Sequence, residues 1–298
     1  MTKARDIFFA LRPSQWTKNA VVPAALFFAF GDRHIEFDLA SGLLRVIPAT
    51  VLFCVVSSGV YLLNDVRDID NDRRHPSKKY RPIASGRVSL AAALRLSLLL
   101  LAGGLALAWL LAPRFAAVVG AYVALQIAYS FALKRAALVD VLVIAGGFVL
   151  RATAGAVAAG VVISPWLLLC AFLLALFLAL CKRRHELILL ADAGADTRES
   201  LGAYDERLLD QLIAVTASST VVAYAMYTMS PQTIEKFGGA GLGFTIPFVL
   251  FGIFRYLDLA YRHEKGDRPE KILLTDGPIL VNLLLYAVCA VLIFLFGR

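Results

Sequence analysis

The 298-residue sequence is poor in charge: Asp, Glu, Lys and Arg make up 17% of it, against 59% hydrophobic residues. Soluble domains carry about 25% charged and about 45–50% apolar residues, so this composition excludes a water-soluble globular enzyme. The mean hydropathy of +0.73 points the same way. Cysteine is scarce too. Cys54, Cys170, Cys181 and Cys289 lie in or at the ends of apolar segments with no C-x-x-C pair. Neither a disulfide framework nor a zinc site is expected, and the four thiols read as small buried hydrophobes. The four histidines are scattered and G-x-S-x-G is missing, which excludes a Ser-His-Asp hydrolase. G-x-x-x-x-G-K-[ST] is also missing, so there is no P-loop. The first twenty residues lack a compact apolar core ending in a small-residue cleavage site, and no removable signal peptide is expected.

What the chain has instead is apolar segments of about 20 residues, enough to cross a bilayer as helices. They are expected at about nine positions: 12–30, 43–63, 90–111, 115–133, 138–160, 165–181, 211–229, 241–261 and 276–296. The fold class is therefore all-α integral membrane, read as one domain over 1–298. Most of the 30 basic residues fall in the leading tail and the even-numbered connections. By the positive-inside rule the N-terminus and those loops face the cytoplasm and the C-terminus lies outside. This reads as a multi-pass protein of a bacterial-type cytoplasmic membrane. The net charge of +8 then reflects loops facing anionic lipid or an anionic substrate, and no nucleic acid is expected as a partner.

The stretch Asn64 to Gly86, NDVRDIDNDRRHPSKKYRPIASG, holds the densest chemistry. Asn64, Asp65, Asp68 and Asp72 form N-D-x-x-D-x-x-x-D, and helical spacing puts Asn64, Asp68 and Asp72 on one face. Carboxylates so close repel unless a cation lies between them. An oxygen-only donor set without thiols suits Mg2+ shared with a phosphorylated substrate. The basic run after it (Arg73, Arg74, Lys78, Lys79, Arg81) is placed to hold remaining phosphate charge. The alternative is a solvated loop whose charges set topology. His75 reads as a loop hydrogen-bonder rather than a ligand.

Three further stretches stand out. In LRPSQWTKN, Trp16 reads as an interfacial anchor with Arg12 and Lys18 snorkelling. Lys18 and Asn19, however, lead into an apolar run where polar groups face a cavity or the bundle interior. Tyr129, Lys134 and Asp140 precede Arg151, an arginine inside an apolar segment. It either lines a substrate site or pairs with a carboxylate such as Asp140. Lys182-Arg183-Arg184-His185-Glu186 is a topology signal that also offers cations. Glu186 with Asp205 is the weaker option for a second cation site, and Tyr204 and Asp210 follow.

With N-D-x-x-D-x-x-x-D after the second of about nine spans, the chain resembles the UbiA superfamily of intramembrane prenyltransferases over nearly its whole length. The resemblance implies a helical bundle around a central cavity capped by cytoplasmic loops, with Mg2+ acting on a diphosphate. Members that prenylate aromatic acceptors carry a second Asp-rich motif after the sixth span, where this sequence has KRRHE. LRPSQWTKN, YSFALKR, VLRATAGA and KRRHE together are similar to the polyprenyl-phosphate phosphoribosyltransferase branch. There the donor is phosphoribosyl pyrophosphate and the acceptor a polyprenyl, decaprenyl-type phosphate, giving a lipid-linked pentose precursor of cell-envelope glycans.

That resemblance implies Asn64, Asp65, Asp68 and Asp72 as Mg2+ ligands, the three aspartates being the catalytic set. It implies Lys18, Asn19, Arg74, Lys78, Arg81, Tyr129, Lys134, Arg151, Lys182, Glu186 and Tyr204, with Asn64, as substrate-binding. An aromatic-acid polyprenyltransferase of quinone or haem biosynthesis is the second reading, opposed by the missing acidic motif. A transporter is the third, opposed by acids at a membrane face rather than at broken midplane helices. Oligomeric state is left open, a homo-oligomer included.

Overall fold

The computed structural model describes residues 3–34, 38–192, 204–262, 272 and 274–296. In chain order the helices are α1 (Lys3–Ala10), α2 (Val21–Phe30), α3 (Leu39–Arg67), α4 (Ile69–Arg74), α5 (Leu90–Leu111) and α6 (Pro113–Phe131). They continue with α7 (Val139–Ala159), α8 (Pro165–Asp192), α9 (Glu206–Met229), α10 (Pro231–Phe237), α11 (Ile246–Arg262) and α12 (Gly277–Phe296). Short 3-10 stretches occupy Pro13–Ala20, Lys78–Tyr80, Leu133–Arg135 and Ala240–Thr245. Among the described residues eight helical segments are long and apolar enough to cross a membrane. The chain is an all-α, multi-pass membrane protein.

The expected first span, 12–30, does not form one helix. Pro23 lacks an N–H, and its ring collides with the carbonyl four residues back, that of Asn19. Residues 13–20 therefore wind as 3-10 helix and only 21–30 as α-helix. At 2.0 and 1.5 Å per residue the two pieces together still rise about 31 Å. They reach from one end of the bundle to the other. Arg12 meets Asp65 at the end of α3. Past α2, Asp32 bonds Lys236 at 3.0 Å and Gly31 lies against the Phe294 ring. The sixth span also differs: α8 continues through Lys182–Glu186 to Asp192, so KRRHE lies on a helix rather than in a connection.

Packing is close where α2 crosses α7. A Cβ on Gly155 would collide with the Val22 carbonyl, a backbone atom that cannot step aside. Close crossing through a small residue is how membrane helices gain van der Waals contact without a hydrophobic driving force. Gly155→Ala is expected to cost about 2 kcal/mol, typical of overpacking, read as a lowered unfolding temperature in detergent. Among the described residues three larger apolar clusters result. One joins α2, α3, α6 and α7 around Phe53, Phe115 and Tyr122, a second joins α8, α9, α11 and α12 around Phe177, Leu209 and Ile213, and a third joins α8, α9, α10 and α12 around Tyr224, Tyr227, Phe237 and Phe294. A smaller cluster of Ala10, Leu62, Ile83, Val88 and Ala93 seats α1 and the 82–88 turn against the end of the bundle where α3 ends and α5 begins.

Candidate active site

The acids gather where α3 ends. Asp68 interrupts the helix (φ −95°, ψ 9°), and α4 begins one residue later. Helical hydrogen bonds nevertheless continue across the break, from Asp68 N to Asn64 O at 2.9 Å and from Asp72 N to Asp68 O at 2.8 Å. The face differs from the expected one. Asp65, Asp68 and Asp72, at i, i+3 and i+7, are the buried set, with 3%, 5% and 2% exposure. Asn64 turns aside, its Oδ1 accepting from Ser130 Oγ on α6 at 3.1 Å. Asp70 and Arg74 are exposed.

Each buried carboxylate meets a cation. Arg12 grips Asp65 in a two-pronged pair, Nε to Oδ2 at 3.1 Å and Nη2 to Oδ1. Arg81 Nη1 bridges Asp65 Oδ1 at 3.2 Å and Asp72 Oδ2 at 2.7 Å. Lys134 Nζ bonds Asp68 Oδ1. Rather than snorkelling toward headgroups, Arg12 turns to Asp65, because a buried carboxylate demands a desolvated partner. Its left-handed backbone (φ 55°, ψ 58°) turns the chain between α1 and the 3-10 stretch. Its guanidinium also lies over the Tyr61 ring, 5.4 Å from the centroid.

Among the described residues no three metal-type side chains already converge on one point. The donor set still fits a hard divalent cation. The Asp65 and Asp72 oxygens that share Arg81 can be no more than about 6 Å apart. Octahedral Mg2+ with its ligands at about 2.1 Å needs a spacing of about 3 Å between neighbouring oxygens or about 4 Å between opposite ones, a side-chain rotation away. Asp65, Asp68 and Asp72 would hold it; Asn64 would first have to leave Ser130.

A second polar network adjoins the first. Arg183, 4% exposed, donates through Nε to Asp140 Oδ2 at 2.7 Å, through Nη1 to Glu186 Oε2, and through Nη2 to the Tyr129 hydroxyl at 3.2 Å. Lys78 Nζ holds the other Glu186 oxygen at 3.1 Å. Tyr204 donates its hydroxyl to Asp140 Oδ1 and receives the Leu138 N–H, both at 2.7 Å. This bond pins a non-glycine residue at φ 67° on the turn into α7. Burial and the hydrogen bond to Asp140 push the Tyr204 phenol above its ordinary range. His75 faces both networks; burial first and Lys78 second hold its imidazole below the ordinary value. Its Nδ1 accepts from the Ser77 and Lys78 N–H groups, as a loop hydrogen-bonder does.

Glu186 is held from both sides by Lys78 and Arg183, while Asp205 caps α9 by accepting the Arg207 N–H at 3.1 Å. Of the two readings of Arg151, pairing with Asp140 does not occur, because Arg183 takes that carboxylate. Arg151 lies eleven residues, about 16 Å, further along α7. There its guanidinium donates to Asn19 Oδ1 (2.9 Å), Gly147 O (3.1 Å) and the Tyr122 hydroxyl (2.8 Å), among the Phe53, Tyr122 and Phe148 rings. Asn19 and Arg151 thus brace the broken first span rather than join the acids. Lys18 and Lys182 are half-buried on the 3-10 stretch and α8 respectively.

Beyond the polar end, a cavity of about 360 Å³ opens among α2, α8, α9, α11 and α12. Val21, Phe28, Leu174, Phe177, Tyr256 and Tyr286 are among its walls, and among the described residues no Asp, Glu, Lys, Arg or His lines it.

The chain is similar to decaprenyl-phosphate phosphoribosyltransferase of Mycolicibacterium smegmatis, 41% identical, with 90% of this chain and 85% of that one covered. The enzyme of the same name from Mycobacterium tuberculosis is 37% identical, with 90% and 87% covered. In fold it resembles a UbiA homolog from Archaeoglobus fulgidus bound to GPP and Mg2+, with TM-score 0.69, 21% identity and 98% of each chain covered. The same homolog bound to DMAPP and Mg2+ gives 0.67 at 19% identity, with 98% and 97% covered. The model of the UbiA prenyltransferase family matches residues 20–275, and the chain belongs to that family.

Proposed function

We propose that this chain transfers 5-phosphoribosyl from phosphoribosyl pyrophosphate to a polyprenyl, decaprenyl-type phosphate and releases pyrophosphate. The observation that carries this reading is the Arg183 network. At the place where a prenyl diphosphate user needs a second acidic motif, Glu186 and Asp140 are neutralised by Lys78 and Arg183. One carboxylate cluster beside several cations suits a donor with a pyrophosphate at C1 and a separate phosphate at C5. The names of the relatives from Mycolicibacterium and Mycobacterium support the same substrates. The apolar cavity suits the lipid tail of the acceptor.

Bound at Asp65, Asp68 and Asp72, Mg2+ would neutralise charge on the pyrophosphate leaving group. Arg12, Arg81 and Lys134 stand around the acids to take up phosphate oxygens. Lys18, Lys78, Arg74 and Lys182 are candidates for the remaining phosphates, and Asn64, Tyr129 and Tyr204 border the site. The bond from C1 to pyrophosphate breaks as an oxygen of the lipid phosphate bonds to C1. That oxygen is already anionic, so no side chain has to remove a proton. Neutralisation of the leaving group by the metal and these cations would supply most of the rate. We read the chain as a single domain over 1–298 in a bacterial-type cytoplasmic membrane, with this site facing the cytoplasm. Its product would feed lipid-linked pentose donors for cell-envelope glycans.

The test uses purified protein in detergent with Mg2+, phosphoribosyl pyrophosphate and a polyprenyl phosphate. Pyrophosphate release that needs the lipid and yields a phosphoribosylated lipid is the expected result. Release only from a prenyl diphosphate plus a hydroxybenzoate or naphthoate would reverse donor and acceptor and sink the proposal.

A further inference from the structure

We propose that Arg12, Arg81 and Lys134 are exchangeable counter-ions. In this structure each neutralises a buried carboxylate, and each passes to phosphate oxygens when a divalent cation takes those carboxylates. Metal and pyrophosphate then enter as a coupled pair. The inference rests on the reading of Asp65, Asp68 and Asp72 as the metal ligands for a pyrophosphate donor.

Charge balance carries it. Asp65, Asp68 and Asp72 are at most 5% exposed, and three cations contact them directly. A divalent cation arriving alone would leave those three positive groups without their acids in a poorly hydrated site. Pyrophosphate arriving alone would face three carboxylates. Either intruder strands buried charge, which is far costlier than exchanging partners. When both arrive, the carboxylates turn to metal and the cations to phosphate, and every charge stays paired.

The geometry permits the exchange. The three cations come from three separate turns, at 11–12, 78–82 and 132–138. Their side chains are 20%, 27% and 13% exposed against 4%, 3% and 6% for the acids, so the cations form the outer, swinging layer. The backbone under Arg12 is held by buried Ala10 and by the Asp6–Arg87 ion pair at 3.2 Å. Its guanidinium can therefore change partner by side-chain rotation alone.

The sign of one measurement separates exchange from a merely structural role. Asparagine accepts the left-handed backbone at position 12, so Arg12→Asn removes the cation and keeps the turn. Binding of Mn2+, an EPR-visible stand-in for Mg2+, is measured on the full chain in detergent without pyrophosphate. Arg12→Asn is expected to bind Mn2+ at least about threefold more tightly than wild type, because Asp65 loses its two-pronged partner and keeps only Arg81, which it shares with Asp72. In wild type, inorganic pyrophosphate is expected to raise Mn2+ affinity at least about tenfold, and by linkage the reverse holds equally. That factor should shrink in Arg12→Asn. Lys134→Gln repeats the test at Asp68, and Arg12→Lys, which keeps the charge, should stay near wild type.

Equal or weaker Mn2+ binding in both neutral variants would overturn the inference, as would a wild-type affinity indifferent to pyrophosphate. Phosphoribosyl transfer accompanied by such indifference would leave the functional reading standing and remove this one. Tightened binding in a protein that transfers no phosphoribose would do the converse.

Discussion

Asp68→Asn is expected to lower pyrophosphate release by about 10³-fold, the scale of removing one preorganised electrostatic contact from a buried site. Asparagine keeps the size of the side chain and the backbone bonds from Asp68 N to Asn64 O and from Asp72 N to Asp68 O. The helix break between α3 and α4 should therefore persist, while the unfolding temperature in detergent should fall modestly, because Lys134 loses its carboxylate but is exposed enough to turn toward water. Lost is the carboxylate charge that Lys134 now neutralises and that a metal would use. The rate should fall in kcat, and raising Mg2+ should recover little of it. A variant with near-normal kcat and an unchanged Mg2+ requirement would show that Asp68 is no ligand, and the catalytic set would shrink to Asp65 and Asp72.

Arg183→Leu is expected to be the most destabilising single change at the polar end. The guanidinium serves Asp140, Glu186 and Tyr129 at once, and Asp140 has no exposure at all. Removing one partner of a buried ion pair leaves the other charge uncompensated, at about 3–5 kcal/mol. Tyr204 still donates to Asp140, but one neutral hydroxyl does not replace a cation. Thermal unfolding in detergent should show the loss, and adding Asp140→Asn should recover part of it by removing the stranded charge. If the double variant is no more stable than Arg183→Leu alone, the Arg183–Asp140 pair is not what holds α7 to α8.

Much of this protein was legible without a fold. The expected 90–111 and observed Leu90–Leu111 coincide, and 138–160 and 276–296 match Val139–Ala159 and Gly277–Phe296 to within a residue or so. Apolar length and turn residues are local properties, and hydrocarbon thickness imposes the rest. Pro23 lies in the run 12–30, but hydropathy does not register it, and the change from 3-10 to α-helix between Ala20 and Val21 is not apparent from apolar length. The motif N-D-x-x-D-x-x-x-D announced an acidic site, yet spacing alone placed Asn64 on the shared face where the structure has Asp65. Asp68 ends α3, and the face rotates there.

The sequence by itself determined the membrane class, most of the helices, the acidic cluster and the absence of a second acidic motif. Each follows from composition or from residues a few positions apart. Only the tertiary structure decided which cation serves which acid. Arg12 reaches Asp65 across 53 positions, Lys134 reaches Asp68 across 66, and Arg183 reaches Asp140 across 43. A basic residue at a helix end looks the same in sequence whether it faces lipid headgroups or a buried carboxylate. The difference lies in which turns the packed helices bring together, since a desolvated charge takes the nearest opposite charge the fold supplies.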